Sequence, residues 1–511
     1  MDEPTADAAP VERDAPSGGS GLTAERARRQ GLVDDIRRAG RQPYPYRFDR
    51  THTVAEVRAQ WPDLPPGTET DAEVTVAGRV MLKRDAGKLV FATIVERGAE
   101  LQLFISKAAV GDDVFGEVKA LDRGDWVGAH GRVMTTRTGE LSVKVDRLEL
   151  LAKSIRPLPD KFHGLHDPDT RFRQRYADLV VNPEARRAFE VRHEVVASIR
   201  RTLRGRGYVE VETPILHVEA GGAHARPFVT HHNSLDLQMY LRVATELHLK
   251  RLIVGGMDRV FEIGRTFRNE GLSPRHNPEF TMMESYEAYA DWTDVLALTE
   301  DLIRTAARDA LGTTVVTIRG ETVDLADPWP RRRMIDLVGE AIGEEVHPSQ
   351  PVERLHTLAG KVGVRWEEAW GAGKLIEELF GATVEPKIVA PVFVTGHPVE
   401  ISPLARVDRV DHFLTERFEL FADSVELANG YSELNDPVEQ RQRFEAEQAA
   451  KDAGDVERGS IDEDYLRALE YGMPPTGGLG VGIDRLVMML AGVTTIRDVI
   501  LFPTLRPEVG G

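Results

Sequence analysis

The chain has 511 residues, room for two to four domains, and its 41% hydrophobic and 29% charged residues describe a globular protein able to bury a sizeable core. Sixty-five basic against eighty-three acidic side chains leave a formal charge of -18, which excludes general coating of DNA or anionic membrane by net attraction. Without cysteine there are no disulfides, thiolate zinc sites or cysteine nucleophile, and no apolar run reaches the roughly 18 residues of a membrane-spanning helix.

The acidic opening MDEPTADAAP lacks the apolar stretch of a secretory signal, and residues 1–22 hold too little apolar surface to offset ordering, so a disordered tail is expected there. From Arg26 to Arg50, eight arginines stand against three aspartates. This basic stretch reads equally as a solvated helix face or as a local basic surface. VTVAGRVMLKR, LVFATIVER, AELQLFIS, DWVGAHGRVMTTRTG and ELSVKVDRLELL, between residues ~73 and 150, alternate like five strands. They suit a small OB-fold barrel, and an SH3-like barrel on pattern alone. IRPLPDKFHG, 155–164, reads as a linker. Beyond it, Asn182-Pro183-Glu184 starts a helix with an apolar stripe at Phe189, Val195, Ile199 and Leu203, and YVEVET, 208–213, reads as a strand stopping at Pro214.

Two glycine-rich stretches fail as nucleotide motifs. WGAGKL, 370–375, has leucine where a P-loop needs serine or threonine, and GLGVGIDR, 478–485, lacks the dinucleotide-binding order. The fifteen histidines show no H-E-x-x-H and no ligand-spaced cluster.

Polar chemistry concentrates at three places. VFEIGRTFRNEGLSPRHNPEFTMMESYEAY, 260–289, reads as an antiparallel hairpin with a long loop. Alternation puts Glu262, Arg268 and Glu270 on one face, and Phe280, Met282, Glu284 and Tyr286 on one face of the second strand. Such a face suits a ligand anionic at one end and cationic at the other, or a surface hairpin with cross-strand ion pairs. In RFELFADSVELANGYSELND, 417–436, Glu419 and Glu426 bracket a turn and could hold a hard divalent cation. Asn429, Tyr431 and Glu433 share a face there, while strict alternation puts Glu426 on the other unless the strand kinks, for which Gly430 is the expected place. In GGLGVGIDRLVMMLAG, 477–492, glycines leave one strand face bare, and Arg485 opens an apolar helix where a phosphate could be met. A glycine-rich strand packed on a helix fits that segment equally.

These segments, in order, resemble motifs 1, 2 and 3 of the class II aminoacyl-tRNA synthetases: the helix and strand ending at Pro214, FRNE with HNPEF, and GLGVGIDR. PLPDKFHGL, TRFRQRY, LRVATELHLKRLIVGG, SPLAR, ELANGYSELNDPVEQRQRF and IRDVILFP narrow the resemblance to the bacterial-type lysyl-tRNA synthetases, over residues ~26–507. The resemblance implies an α+β protein: a disordered tail (1–22), an N-terminal helix plus OB-fold barrel that binds the anticodon (23–153), and a catalytic domain built on an antiparallel sheet flanked by helices (154–511). It implies a cytoplasmic homodimer that joins L-lysine to tRNA(Lys) with ATP and Mg2+, and no membrane or DNA partner.

The same resemblance assigns roles. Arg268 would bridge the ATP α-phosphate and the substrate carboxylate, with Glu270, His276 and Asn277 near the nucleotide. Phe280 would stack on adenine, with Arg485 on the opposite face or the γ-phosphate side, and Gly482 would also belong to the ATP site. Glu419 and Glu426 would hold magnesium. Gly222 and Glu246 would receive the α-amino group, and Glu284, Tyr286, Asn429, Tyr431 and Glu433 would line the side-chain pocket. Arg84, Phe91, Gln102 and Glu140 would read the anticodon. A desolvated ammonium needs compensating carboxylates, which the Glu284 and Glu433 positions supply. Ser285, Ser424-Val425 and Gly396-His397 depart from the family's usual text, which leaves open a second, specialised copy. Three other readings are an aspartyl- or asparaginyl-type synthetase, a paralog that lysylates a translation factor, and a non-catalytic tRNA-binding protein. The acidic pocket disfavours the first, the strands at 73–150 the second, and the presence of Arg268, Glu426 and Arg485 the third.

Overall fold

The computed structural model describes residues 19–159, 165–219, 221–222, 225–452 and 461–508. They divide into two compact units, one ending at His166 and the other starting at Asp167. Of the expected tail, residues 1–18 lie outside the described residues, while 19–22 are already the first turn of a helix, Gly19–Arg38. Residues 160–164 of the expected linker also lie outside. Arg28 and Arg29 in that helix pair with Glu25, so part of the basic stretch is neutralised within its own helix.

In the first unit the strands are β1 (Glu69–Ala86), β2 (Leu89–Glu96), β3 (Ala99–Ser106), β4 (Trp126–Thr135) and β5 (Leu141–Ala152). Their alternation sends Val74, Val76, Val90, Ile94, Leu101, Leu103, Val127 and Val143 into one core, closed by helices Val54–Gln60 and Lys107–Ala120. The strand order is β1-β2-β3-β5-β4, and β4 pairs along β1.

The second unit holds β6 (Val209–Glu210), β7 (Leu216–His217), β8 (Val229–His232), β9 (Leu237–Leu241), β10 (Arg259–Phe267), β11 (Glu279–Ala288), β12 (Val315–Ile318), β13 (Glu321–Asp324), β14 (Arg331–Arg333), β15 (Val392–Thr395), β16 (Arg417–Ala422), β17 (Val425–Ser432) and β18 (Thr476–Gly482). Eight of them form the main sheet in the order β14-β15-β16-β17-β18-β11-β10-β6.

The expected fold class, an OB-fold barrel followed by a catalytic domain built on an antiparallel sheet flanked by helices, needs correction in both units. In the first, β3 and β5 run parallel and meet only along Gln102–Ile105 and Ser142–Val145. In the second, β6 runs parallel to β10 and β14 parallel to β15, so the sheet is mixed, with parallel pairs at its two edges and antiparallel pairs between. The YVEVET strand shrinks to Val209–Glu210, the only part of it in register with β10.

One face of the main sheet packs on helices Pro183–Gly205, Trp292–Leu311 and Ile483–Ala491. Val191, Val195, Ile199 and Leu203 meet Leu302, Ile303, Leu486 and Val487 there. The helix start expected at Asn182-Pro183 is observed, with Asn182 as its cap residue. Arg192 of that helix pairs with Asp484 and donates to Thr281 Oγ1 at 2.8 Å, while Asp484 accepts from Thr281 N. One arginine thus ties helix Pro183–Gly205, β11 and the start of helix Ile483–Ala491 together. At the rejected WGAGKL segment, Glu400 accepts from Gly371 N (3.1 Å) and Gly373 N (2.8 Å), so a carboxylate already fills the anion position at that helix start.

Candidate active site

The cleft lies on the other face of the central strands β10, β11, β17 and β18. It is lined by Gly222, Glu246, Arg268, Glu270, His276, Asn277, Phe280, Glu284, Tyr286, Glu426, Asn429, Tyr431, Glu433, Gly482 and Arg485. Of the residues expected in the second unit only Glu419 is outside this lining, and it shares an adjoining hollow with Glu426, His276 and Arg485.

The hairpin forms as expected, β10 against β11 with Thr266 opposite Phe280. Arg268 sits just past the end of β10, where its N donates to Pro278 O (2.9 Å) and its guanidinium lies 5.2 Å from the Phe280 ring centre. Its Nε is buried with no hydrogen-bond partner among the described residues, and burial lowers its pKa. A buried guanidinium donor left without an acceptor there is suited to an anionic ligand. Ser273 Oγ holds His276 Nδ1 at 2.8 Å, and Arg485 NH2 lies 3.2 Å from His276 Nε2. Burial, then the Arg485 charge, keeps the imidazole pKa low. Asn277 lines the cleft, but its side chain is engaged within the protein: Nδ2 donates to Glu279 O and Oδ1 accepts from Thr504 N. Glu262, expected to share the face with Arg268, lies in register opposite Glu284 and is buried against Arg242 (2.6 Å), accepting from Thr213 N and Oγ1.

Glu426 reaches the cleft through a kink, though not at Gly430. Leu420 faces Ala428 and Phe421 faces Glu426, so Leu427 is an extra residue in β17. Leu427 and Ala428 are both buried, and the bulge restores Glu426 to the face of Asn429 and Tyr431. Arg417, which the sequence reading passed over, bonds Glu419 (2.5 Å) and Asn429 Oδ1 (3.1 Å), fixing both. Its signal was present in RFELF, where Arg417 and Glu419 share a strand face. Burial pushes both the Glu419 and Glu426 carboxyls up, and each lies near further carboxylates, Glu377 by Glu419 and Glu419 by Glu426. This donor pair fits a hard cation whose other ligands are phosphate and water. Among the described residues no group of three or more His, Asp or Glu forms a metal cage.

At the far end stand three buried carboxylates. Glu284 accepts from Thr245 N (3.1 Å) and Tyr286 Oη (3.3 Å), and burial with the nearby Glu246 lifts its pKa to about 7. Glu246 Oε1 accepts from Tyr431 Oη at 2.6 Å. Glu433 packs where Gly478 has no side chain: a Cβ at Gly478 would collide with Glu433 Oε1 and Tyr286 Cε1. The bare glycine face thus serves the protein's own side chains at Gly478, while Gly480 and Gly482 line the open cleft. A second residue missed in the sequence is Lys250, fully buried and paired with Glu246 and Glu433. A lysine four residues after Glu246 inside LHLKRLIV was the available signal. Gly222 lines the cleft with φ +91°, a left-handed conformation that a side chain would strain.

The expected base-reading residues lie in the first unit. Arg84 pairs in register with Phe91, its guanidinium 5.0 Å from the ring centre. Phe91 is half-buried on the outer face of β2 and packs edge-on to Phe104 of β3 at 5.4 Å, a second aromatic the sequence reading missed. Gln102 accepts from Ser142 Oγ (3.3 Å), and Glu140 is exposed in the turn before β5.

Two family profiles match the chain: "tRNA synthetases class II (D, K and N)" over residues 167–506 and "OB-fold nucleic acid binding domain" over 74–151. The chain is similar to proteins named lysine–tRNA ligase. It is 51% identical to that of Nostoc sp. (strain PCC 7120) over 492 residues, covering 94% of this chain and 88% of the relative. It is 50% identical to that of Enterococcus faecalis and 49% to that of Bacillus subtilis, each over 480 residues, 94% of this chain and 96% of the relative.

Proposed function

The chain belongs to the bacterial-type lysine–tRNA ligases of the class II synthetase family, and from that premise we propose how its cleft carries out the reaction. The enzyme activates L-lysine with ATP and passes it to tRNA. In the proposed first step the lysine carboxylate attacks the α-phosphate in line, forming lysyl-adenylate and releasing diphosphate. In the second the 3′ hydroxyl of tRNA(Lys) takes the lysyl group and AMP leaves. Neither step needs a nucleophilic side chain, so the protein's work is positioning and charge neutralisation.

The observation that carries the residue assignment is the polarity of the cleft: Arg268, with its unpartnered buried Nε, at one end, and Glu246, Glu284 and Glu433 at the other. Arg268 would bridge the α-phosphate and the lysine carboxylate. Phe280 would stack on adenine, with Arg485, His276 and Glu270 along the phosphates and Gly482 leaving room for the ring. Glu419 and Glu426 would hold a magnesium ion, which supplies charge neutralisation on the phosphate oxygens. Gly222 and Glu246 would face the α-ammonium, and Glu284, Tyr286, Asn429, Tyr431 and Glu433 the side chain. An acidic pocket repels aspartate, which argues against the aspartyl-type reading.

Arg84, Phe91, Gln102 and Glu140 would read the anticodon, supported by the half-exposed rings of Phe91 and Phe104 beside an arginine. Val209 on the short edge strand β6, and Ile215, Leu216, Val218 and Val229 in the segments that follow it, are each at least 44% exposed, which supports a symmetric homodimer. Sedimentation at micromolar protein is expected to show the dimer, and a monomer contradicts it. No described helix is long and apolar enough to cross a membrane, and it is the family membership that supports a cytoplasmic site of action. Charging of a tRNA(Lys) transcript tests the whole reading. Lysine is expected to be attached while aspartate and asparagine are not, and stable aspartylation would overturn it.

A further inference from the structure

The amino-acid end of the cleft already contains a lysine. Lys250, on helix Glu246–Val254, is completely buried, an arrangement almost never found for lysine unless paired. Its Nζ contacts Glu246 Oε1 at 2.5 Å and Glu433 Oε2. Three tyrosine rings surround it, with centres at 6.0 Å (Tyr286), 5.6 Å (Tyr431) and 5.9 Å (Tyr465). Arg251 lies on the outer side of Tyr465, at 5.7 Å from that ring centre. Apart from Lys250, neither oxygen of Glu433 has a partner among the described residues. Burial opposes the charge on Lys250, yet Glu246 and Glu433 raise its pKa. For Glu433 burial pushes the carboxyl well up, and Glu246 and Glu284 add to that, while Lys250 pulls it down.

We propose that Lys250 is a built-in counter-cation that positions the amino-acid pocket and sets its charge for a diammonium substrate. Three carboxylates (Glu246, Glu284, Glu433) against one ammonium leave two negative charges. Lysine brings two ammonium groups to that end, its carboxylate being held by Arg268. Without Lys250 the pocket would hold three facing carboxylates. Buried like charges at such range cannot all stay ionised, so Glu433 would take a proton and stop acting as an acceptor for the substrate. Lys250 never touches the reacting atoms; it acts through Glu433 and Glu246. The inference rests on reading this pocket as the amino-acid site.

Lysine-dependent pyrophosphate exchange by Lys250→Met, a neutral residue of similar length, tests it across pH 6–9 alongside thermal melting. The expected result is a cooperatively folded variant with kcat/KM for lysine lowered on the order of 10- to 100-fold and KM for ATP within about twofold, since one partner of a buried pair is gone. The acidic limb of its lysine pH profile should move up by about one unit or more as Glu433 takes up a proton. An unshifted profile, or equal losses for lysine and ATP, would overturn the proposal by making Lys250 merely structural. Should Lys250→Met not fold, the charge-neutral pair Lys250→Met with Glu433→Gln replaces it. A folded double variant with wild-type kcat/KM for lysine also overturns the proposal, and a lysine-specific loss supports it. Glu284→Gln in the wild-type background separates the two failures: an unchanged KM for lysine there would remove the carboxylates from the amino-acid site altogether.

Discussion

Glu284 is buried beside Thr245, Tyr286 and Glu246, and its carboxyl titrates at about 7 instead of the ordinary 4.5. The folded chain therefore binds a proton here between those values that the unfolded chain does not. Its contribution to stability is accordingly highest at low pH and falls as pH rises from 4.5 to about 7. An incoming ammonium favours the carboxylate and reverses the shift. Lysine binding at pH 6.5 is expected to release a proton from Glu284, seen by titration calorimetry as a heat that changes with the buffer's ionisation enthalpy. Glu284→Gln should abolish that dependence. Proton uptake, or no difference between buffers, would place Glu284 away from the ammonium. At this scale the sequence was legible for residues that line the cleft, and silent on Lys250 and Arg417, whose partners are other residues of the same site. Local spacing links Lys250 to Glu246 and Arg417 to Glu419, but only the fold brings Glu433 and Asn429 to them.

Strand β18 shows what an element contributes. Gly478 lies opposite Tyr286 on one side and Tyr431 on the other, and its missing Cβ is the space that Glu433 uses. Gly478→Ala is expected to displace Glu433 at a cost of about 1–3 kcal/mol, raising KM for lysine roughly 10- to 100-fold. KM for ATP should hardly move, because the residues proposed to hold the nucleotide gather toward Gly482. Pyrophosphate exchange with each substrate varied in turn checks this, and parallel losses would show that the strand as a whole had shifted. The turn between β16 and β17 is a second case. Asp423 and Ser424 both have positive φ, and Arg319 on Asp423 and Arg275 on Ser424 O brace the turn. The two left-handed residues of the turn are therefore each held by an arginine from a distant segment, Asp423 by Arg319 and Ser424 by Arg275. Parity alone could not place Glu426, since the extra residue at Leu427 leaves no mark in a run of apolar side chains.

Across the whole chain, the five N-terminal strands and the three motif segments were readable because their alternation and turn residues are local. The strand directions at the edges of the main sheet were not, since β6 and β14 are two and three residues long and are defined by partners far along the sequence. The two units also divide the proposed chemistry, adenylate formation in one and base reading in the other. Phe91→Ala removes a half-exposed ring and not a core residue, so the fold should persist. A lost base stack of roughly 1–3 kcal/mol should slow lysylation of tRNA while lysine-dependent pyrophosphate exchange stays near wild type. Loss of both would make Phe91 structural, and loss of neither would remove the first unit from anticodon reading. The central claim, that the cleft selects a diammonium amino acid through paired buried carboxylates, is tested most directly by ATP–pyrophosphate exchange with each of the twenty amino acids in turn. The account predicts exchange with lysine alone; exchange driven by aspartate or asparagine, or none with lysine, would contradict it.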